Sequence, residues 1–399
     1  MSAKVCVVGG GPAGMMVGYL LARAGIDVTV LEKHGDFLRD FRGDTVHPST
    51  LEVMRQLGLL DDFLKLPHEE VAKLSAQIGD DVIHAADFTR LPLKTKFIAL
   101  MPQWDLLNFL VDKARAFPSF HLTMCADAYG LTRSNGVVTG VLAHTPGSDV
   151  EIAADLVIGT DGRHSTVREL LGLKVIDLGA PMDVLWLRLP RREGDEELPL
   201  GRILAGAILV MIPRGDYFQV GYVVPKGAAD EIKAKGLEAF RRSLAHMAPA
   251  MADRMDTITS LDDVKLLTVA VDRLETWCVP GALCIGDAAH AMSPVGGIGI
   301  NLAVQDAVAT ANILAGPLRG GGVALEDLRD VQRRREWPTK VTQAAQVAVQ
   351  KRMIAPTLAG ATPKAPMVAK LIDHTPFLQG LAARAVGMGV RFEAVRSPG

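Results

Sequence analysis

The chain opens with an apolar run, Lys4-Val5-Cys6-Val7-Val8, and turns through Gly9-Gly10-Gly11-Pro12-Ala13-Gly14. Val17, Leu20, Leu21 and Ala24 then keep helical spacing as far as Gly25. A second run, Val28-Thr29-Val30-Leu31, ends at Glu32. Continuous apolar strands separated by an amphipathic helix predict a βαβ unit in a parallel sheet. The pattern predicts a helix over 48–66, short strands between 73 and 98, and a helix over 103–117. Strands are expected at 120–126 and 136–144 around Ser134-Asn135-Gly136, and again at 155–160.

The stretch 181–224 reads differently. Long runs at 184–189, 203–212 and 217–224, with a turn at Arg214-Gly215-Asp216, predict a mostly antiparallel sheet inserted into the parallel fold. Residues 231–248 read as helix, 264–272 as a strand leading back, and 282–285 as a buried strand. A Gly-rich loop and a helix over 300–314 follow. From 325 the chain is helix-rich, with breaks expected at Pro338, Pro356, Pro363 and Pro376. The expected class is therefore α/β: a Rossmann-type domain, an inserted antiparallel substrate sheet and a helical C-terminus.

Composition narrows the function classes. Of 399 residues 49% are hydrophobic and 22% charged, enough for a large core. Lys plus Arg number 43 and Asp plus Glu 45, a net charge of −2 that leaves no basic footprint for nucleic acid. Cys6, Cys125, Cys278 and Cys284 show no metal-ligand spacing and read as small buried hydrophobes. No metal is expected. The run from Ile203 to Ile212 is about half of the roughly 20 residues a membrane helix needs, so no membrane partner is expected. The start runs straight into a strand pattern without a signal peptide, which points to the cytoplasm.

Candidate chemistry begins with Gly9-x-Gly11-x-x-Gly14, which follows a strand, opens a helix and precedes Glu32 at the end of the next strand. Such glycines let backbone amides approach a pyrophosphate at the positive helix N-terminus, and the acidic residue reaches ribose hydroxyls. One fingerprint does not choose between FAD and a nicotinamide. A second site repeats the design: a strand, Gly286-Asp287, the loop Pro294-Val295-Gly296-Gly297-Ile298-Gly299, then a long helix. A second helix N-terminus suits a ligand longer than ADP whose far end also carries negative charge, as reduced flavin does.

Three motifs together resemble the class A flavoprotein monooxygenases of the para-hydroxybenzoate hydroxylase type. They are the Gly9/Gly11/Gly14 loop with Glu32; the run from Asp155 through Asp161-Gly162-Arg163-His164-Ser165 to Arg168; and Gly286-Asp287-Ala288-Ala289-His290 with Pro294. The resemblance spans about residues 1–345. It implies non-covalent FAD, NAD(P)H as co-substrate docking transiently, and O2. Through a flavin C4a-hydroperoxide, one oxygen atom would pass to a hydrophobic, aromatic substrate. An FAD oxidoreductase without oxygen insertion and a non-catalytic flavoprotein are the other readings.

The resemblance implies cofactor contacts at Gly9, Gly11, Pro12, Ala13, Gly14, Glu32, Lys33, Arg42, Gln103, Asp161, Gly162, Gly286, Asp287, Pro294, Gly297, Gly299, Ile300 and Asn301. Asp161 would lie near the pyrophosphate and the nicotinamide path, Asp287 near the ribityl chain, and Pro294 beside the flavin ring. His47, Tyr217, Tyr222 and Arg214 are substrate-pocket candidates, while His290 reads as loop packing and Trp104 and Trp186 as ordinary core or surface aromatics. The expected units are 1–72, 97–180 and 271–345 for FAD, 73–96 and 181–270 for the substrate sheet, and 346–399 as a C-terminal helical segment.

Overall fold

The computed structural model describes residues 3–38, 45–195 and 200–399. Its first layer is a six-stranded sheet in the order Cys278–Val279, Ala282–Cys284, Leu156–Gly159, Lys4–Val8, Asp27–Glu32, Phe120–Met124. All neighbours pair in parallel except the first two strands, which form a hairpin. Its central strands are mostly apolar because both faces are covered, by helices and by the three-stranded antiparallel sheet Asp127–Ser134, Val137–His144, Asp149–Ala153. Ala128, Val138, Val141 and Ala143 of that sheet share its core. The helices Pro12–Arg23 and Gly299–Arg319 lie in the same core as the sheet. The stretch Val295–Arg319 is long and apolar enough to cross a membrane, but 78% of its apolar window is buried inside the protein.

The second layer is a seven-stranded sheet in the order Lys265–Leu267, Met182–Pro190, Tyr217–Pro225, Ala207–Arg214, Gly201–Leu204, Lys73–Ile78, Asp81–Asp87. It is antiparallel apart from the parallel pair Gly201–Leu204 with Lys73–Ile78. Alternate side chains feed two separate cores. Val184, Trp186, Ile208, Ile212 and Val223 face one cluster, whereas Leu185, Leu187, Leu209, Met211 and Val220 face the other. The first cluster also contains Ile354 and takes Val295 and Met353 at its edge, so this face looks toward the Gly-rich loop and the C-terminal helices.

Several elements differ from expectation. The helix expected over 48–66 divides into Pro48–Gln56 and Leu60–Phe63, because Gly58 takes a left-handed conformation at φ +72°. Gly236, at φ +85°, likewise splits 231–248 into Ala229–Ala234 and Leu237–Met247. Phe120–Met124 joins the main sheet, and the hairpin around Asn135-Gly136 is made by Asp127–Ser134 and Val137–His144. The expected strand 264–272 is two strands, Lys265–Leu267 and Asp272–Leu274, in different sheets. Pro338 does not break its helix: Leu325–Val349 is continuous. Anchors on both sides, Arg335 to Asp306 and Gln343 to Asp272 and Ala291, override the hydrogen bond that proline removes.

Candidate active site

The three motifs meet at the carboxyl ends of three adjacent parallel strands. Val8 pairs with Gly159 and Gly159 with Cys284, so the loops at Gly9, Thr160 and Gly286 leave the sheet side by side. Such a crevice is where open α/β sheets bind ligands. Thr160 Oγ1 donates to the carbonyls of Val8 and Gly9 at 2.8 and 2.7 Å and stitches the first two loops together. Close packing excludes side chains at two of the glycines. A Cβ on Gly14 would lie 1.9 Å from the Gly9 carbonyl oxygen, and one on Gly9, at φ +106°, 2.7 Å from the Thr160 backbone. A Cβ on Gly11 would meet nothing within 4 Å, so this glycine borders open space at the helix mouth.

Both helices that start here lack a side-chain cap and an acidic residue in the first turn. Pro12–Arg23 follows Gly11, with Pro12 preset for its first position, and Gly299–Arg319 follows Ile298. Their leading amides and positive ends leave both starts suited to an anion. Gly299, like Gly11, borders open space. These features fit an elongated dianionic cofactor whose far end gains negative charge on reduction.

The acidic residues take distinct positions. Glu32 is buried, and its two carboxylate oxygens accept from the amides of Gly10 and His34, both at 3.0 Å, which fixes it beside the glycine loop. Asp161 accepts from Ser165 Oγ and, at 3.0 Å, from the Val167 amide. Burial raises its carboxyl above the usual range, partly offset by these bonds. Asp161 thus braces its own loop, while Gly162, at φ +86°, makes the turn. Asp287 lies 3.9 Å from Arg163, which ties the second motif to the third.

The loop after Gly286 is held from several sides. Thr45 Oγ1 donates to the Gly297 carbonyl at 2.7 Å, and Gly297, at φ +62°, leaves no room for a Cβ beside that hydroxyl. Asn301 Oδ1 accepts from the His47 amide at 3.1 Å and Thr50 Oγ1 at 2.8 Å, so this side chain anchors the helix start to residues 47–50. Ile300 is buried in the core beside it. Beneath the loop, Asp306 is fully buried and accepts from the Gly286 amide at 3.1 Å, from Arg335 Nε at 2.8 Å and pairs with His290 Nε2 at 2.6 Å. Burial would raise its carboxyl, yet His290 and Arg335 hold it below the usual range. His290 is therefore part of the scaffold.

The remaining candidates separate by geometry. Arg42 lies outside the described residues. Lys33 is exposed, and Gln103 opens the helix Gln103–Ala114, just after the strand Ile98–Leu100 that pairs with Thr45–Val46. Tyr217 and Arg214 share the strand parity of Val223 and Ile212, on the face turned toward the Gly-rich loop. Arg188 sits 4.9 Å from the Tyr217 ring, and burial lowers the Arg214 guanidinium to about 10. Tyr222 is on the other face, with its ring 6.1 Å from Phe240, and does not reach the pocket side. The side chain of His47 is enclosed: Nδ1 lies 3.0 Å from the Val386 carbonyl, and burial pushes the imidazole down to about 4. It packs between the loop and the C-terminal helices and does not line open space.

Sequence reasoning missed the supports of the second loop. Gln346 bonds the backbone on both sides of Pro294, Gln350 bonds Ser293 Oγ, and Asp306 and Arg335 lie below. Their signal was a set of uncharged polar positions, 343, 346 and 350, on one helical face. Among the described residues no group of His, Cys, Asp and Glu is suited to a metal.

Comparison with known proteins identifies the family. The family described as "FAD binding domain" matches residues 2–345. The 6-methylpretetramide 4-monooxygenase of Streptomyces rimosus is 32% identical over 397 residues, covering 98% of this chain and 94% of that protein. The rifampicin monooxygenase of Streptomyces venezuelae is 27% identical, over 98% of this chain and 79% of its own length. The crystal structure of p-nitrophenol 4-monooxygenase from Pseudomonas putida DLL-E4 superposes with a TM-score of 0.77 at 20% identity, over 98% of this chain and 99% of that one, a likeness of fold.

Proposed function

The chain belongs to the FAD-binding-domain family of class A flavoprotein monooxygenases, and on that premise we propose that it hydroxylates a hydrophobic, aromatic substrate with NAD(P)H and O2. The balance is substrate + O2 + NAD(P)H + H⁺ giving hydroxylated substrate + H2O + NAD(P)⁺. The observation that carries the proposal is the convergence of three motif loops, with two uncapped helix N-termini, beside an apolar sheet face.

When bound, FAD supplies hydride acceptance and oxygen activation, chemistry that side chains lack. This chain's residues bind and orient. The amides of Ala13 and Gly14 would meet the pyrophosphate, Glu32 the adenosine ribose and Asp287 the ribityl region, and the family resemblance adds Arg42 and Gln103 as further cofactor contacts. The amides of Gly299 and Ile300 would stabilise negative charge on the reduced flavin, a contribution of about 0.3–2 kcal/mol. Pro294 would contact the flavin. Val184, Trp186, Ile208, Val210 and Ile212 exclude water from the substrate, while Arg214 and Tyr217 orient its polar groups. The units 1–72, 97–180 and 271–345 form the cofactor domain, and 73–96 with 181–270 the substrate sheet.

The test is turnover under labelled O2 across a panel of phenols and polycyclic aromatics. One labelled oxygen atom per product molecule is expected. NAD(P)H-driven product formation without label would reject oxygen transfer in favour of a simple FAD oxidoreductase.

A further inference from the structure

The cofactor-side loop is positioned by a helix far along the chain. Gln343, Gln346 and Gln350 project from one face of the long helix and its continuation, and all three are buried. Gln346 forms the tightest junction. Its Oε1 accepts from the Ser293 amide at 3.2 Å, and its Nε2 donates to the carbonyls of Ser293 at 2.9 Å and Val295 at 3.0 Å. One carboxamide therefore grips the backbone on either side of Pro294. Gln350 adds a bond from Nε2 to Ser293 Oγ at 2.8 Å. Gln343 grips a different segment, donating to the carbonyls of Asp272 and Ala291 at 2.7 and 3.1 Å.

We propose that Gln346 is a positioning residue: by clamping Ser293 and Val295 it sets where Pro294 lies against the flavin ring. The inference rests on the flavin reading above. A backbone segment containing proline lacks one amide and cannot complete a ladder of its own, so the carboxamide takes the place of a neighbouring strand. The same stretch of helix reaches the substrate side. Val349, Met353 and Ile354 pack in the cluster that holds Val184, Trp186 and Val295. Five residues around a π-helical turn at Gln350–Ile354 thus join the cofactor loop to the apolar pocket wall.

The experiment compares two glutamines that clamp backbone from one helix. Gln332 accepts from the Trp277 amide and donates to the Glu275 carbonyl, both at 3.0 Å, away from the loop. Gln346→Met and Gln332→Met are purified as holoproteins. FAD affinity, the visible spectrum of bound FAD and H2O2 release with NADH alone are then measured. Gln346→Met should weaken FAD about tenfold, the equivalent of about 1.4 kcal/mol, shift the flavin bands and raise H2O2 release. Gln332→Met should lower the melting temperature while keeping the parent spectrum.

Gln346→Met with the parent spectrum and affinity overturns the inference, as do equal spectral changes in both variants. Should Gln346→Met fail to fold, Gln350→Met carries the same test at smaller amplitude, and a parent-like spectrum there also overturns it. A wild-type protein that takes up no FAD defeats the flavin reading itself, which separates the two failures.

Discussion

Two glycine-rich loops, 9–14 and 286–299, do the same electrostatic job by different means. Each delivers the uncapped N-terminus of a helix to the crevice at the end of the parallel sheet. The first turns through its own closely packed glycines and needs few outside groups. Gly9 and Gly14 touch each other's turn, Thr160 and Glu32 lock it, and the helix starts at once at Pro12. The second is longer and depends on more outside groups: Thr45 and His47 on one side, the latter through Asn301, with Asp306 and Arg335 below and Gln346 across Pro294. Under the proposed function this loop would lie against a reacting ring, and such a placement needs more than its own residues encode. Remote clamps supply it.

The sharpest way to break the second loop alone is Asp306→Ala. It takes the buried carboxylate from His290 and from Arg335, and it frees the Gly286 amide. Among the described residues, Arg335 then keeps only Glu393 at 3.6 Å and the Arg391 carbonyl. Removing one member of a buried charged pair costs about 3–5 kcal/mol, so chemical denaturation should show a loss in that range. An effect below about 1 kcal/mol would mean that the cluster does not hold the loop.

Gly14→Ala attacks the first loop. Its methyl would stand 1.9 Å from the Gly9 carbonyl oxygen, and backbone cannot yield as a side-chain tip can. A cost of about 3 kcal/mol and loss of FAD uptake are expected, read by thermal unfolding and titration.

These two loops also mark how much could be read in the sequence. Gly9, Gly11 and Gly14 announce a turn because their spacing is local, and the three motifs identified the crevice. Arg335, Gln343, Gln346 and Gln350 look like an ordinary solvated helix face until the loop they meet is known. The helix through Pro338 was hidden for the same reason, since its anchors lie on other elements. In the seven-stranded sheet both faces are apolar, so composition did not tell Val184 and Ile208 from Leu185 and Leu209, or Tyr217 from Tyr222. Face assignment needed the register.

Acid should separate the loops further. His47, whose amide bonds Asn301 in the second loop, is held at about 4 against an ordinary 6.5 by burial, partly opposed by the Val386 carbonyl. Between these values the unfolded chain binds the proton and the folded one resists it, so stability rises with pH. The contribution is complete above about 6.5 and is lost progressively down to about 4, by at most about 3 kcal/mol. Denaturant melts across this window should show the slope, and His47→Gln should flatten it. An unchanged slope would assign it to other groups.

The smallest effect on the fold is expected at Gly11. Its φ of −73° suits any residue and a Cβ would meet nothing, so Gly11→Ala should alter stability by less than about 0.5 kcal/mol. The methyl would nevertheless project into the open space at the helix mouth, where the proposed function puts the pyrophosphate. FAD binding should weaken while the melting temperature of the apoprotein stays put.

The three-loop crevice is tested most directly by the stoichiometry of the cofactor. Apoprotein titrated with FAD, followed by the quenching of flavin fluorescence, should saturate at one FAD per chain, and acid denaturation should release all of it intact. A protein that leaves flavin fluorescence unchanged at saturating FAD would contradict the assignment of the three-loop crevice.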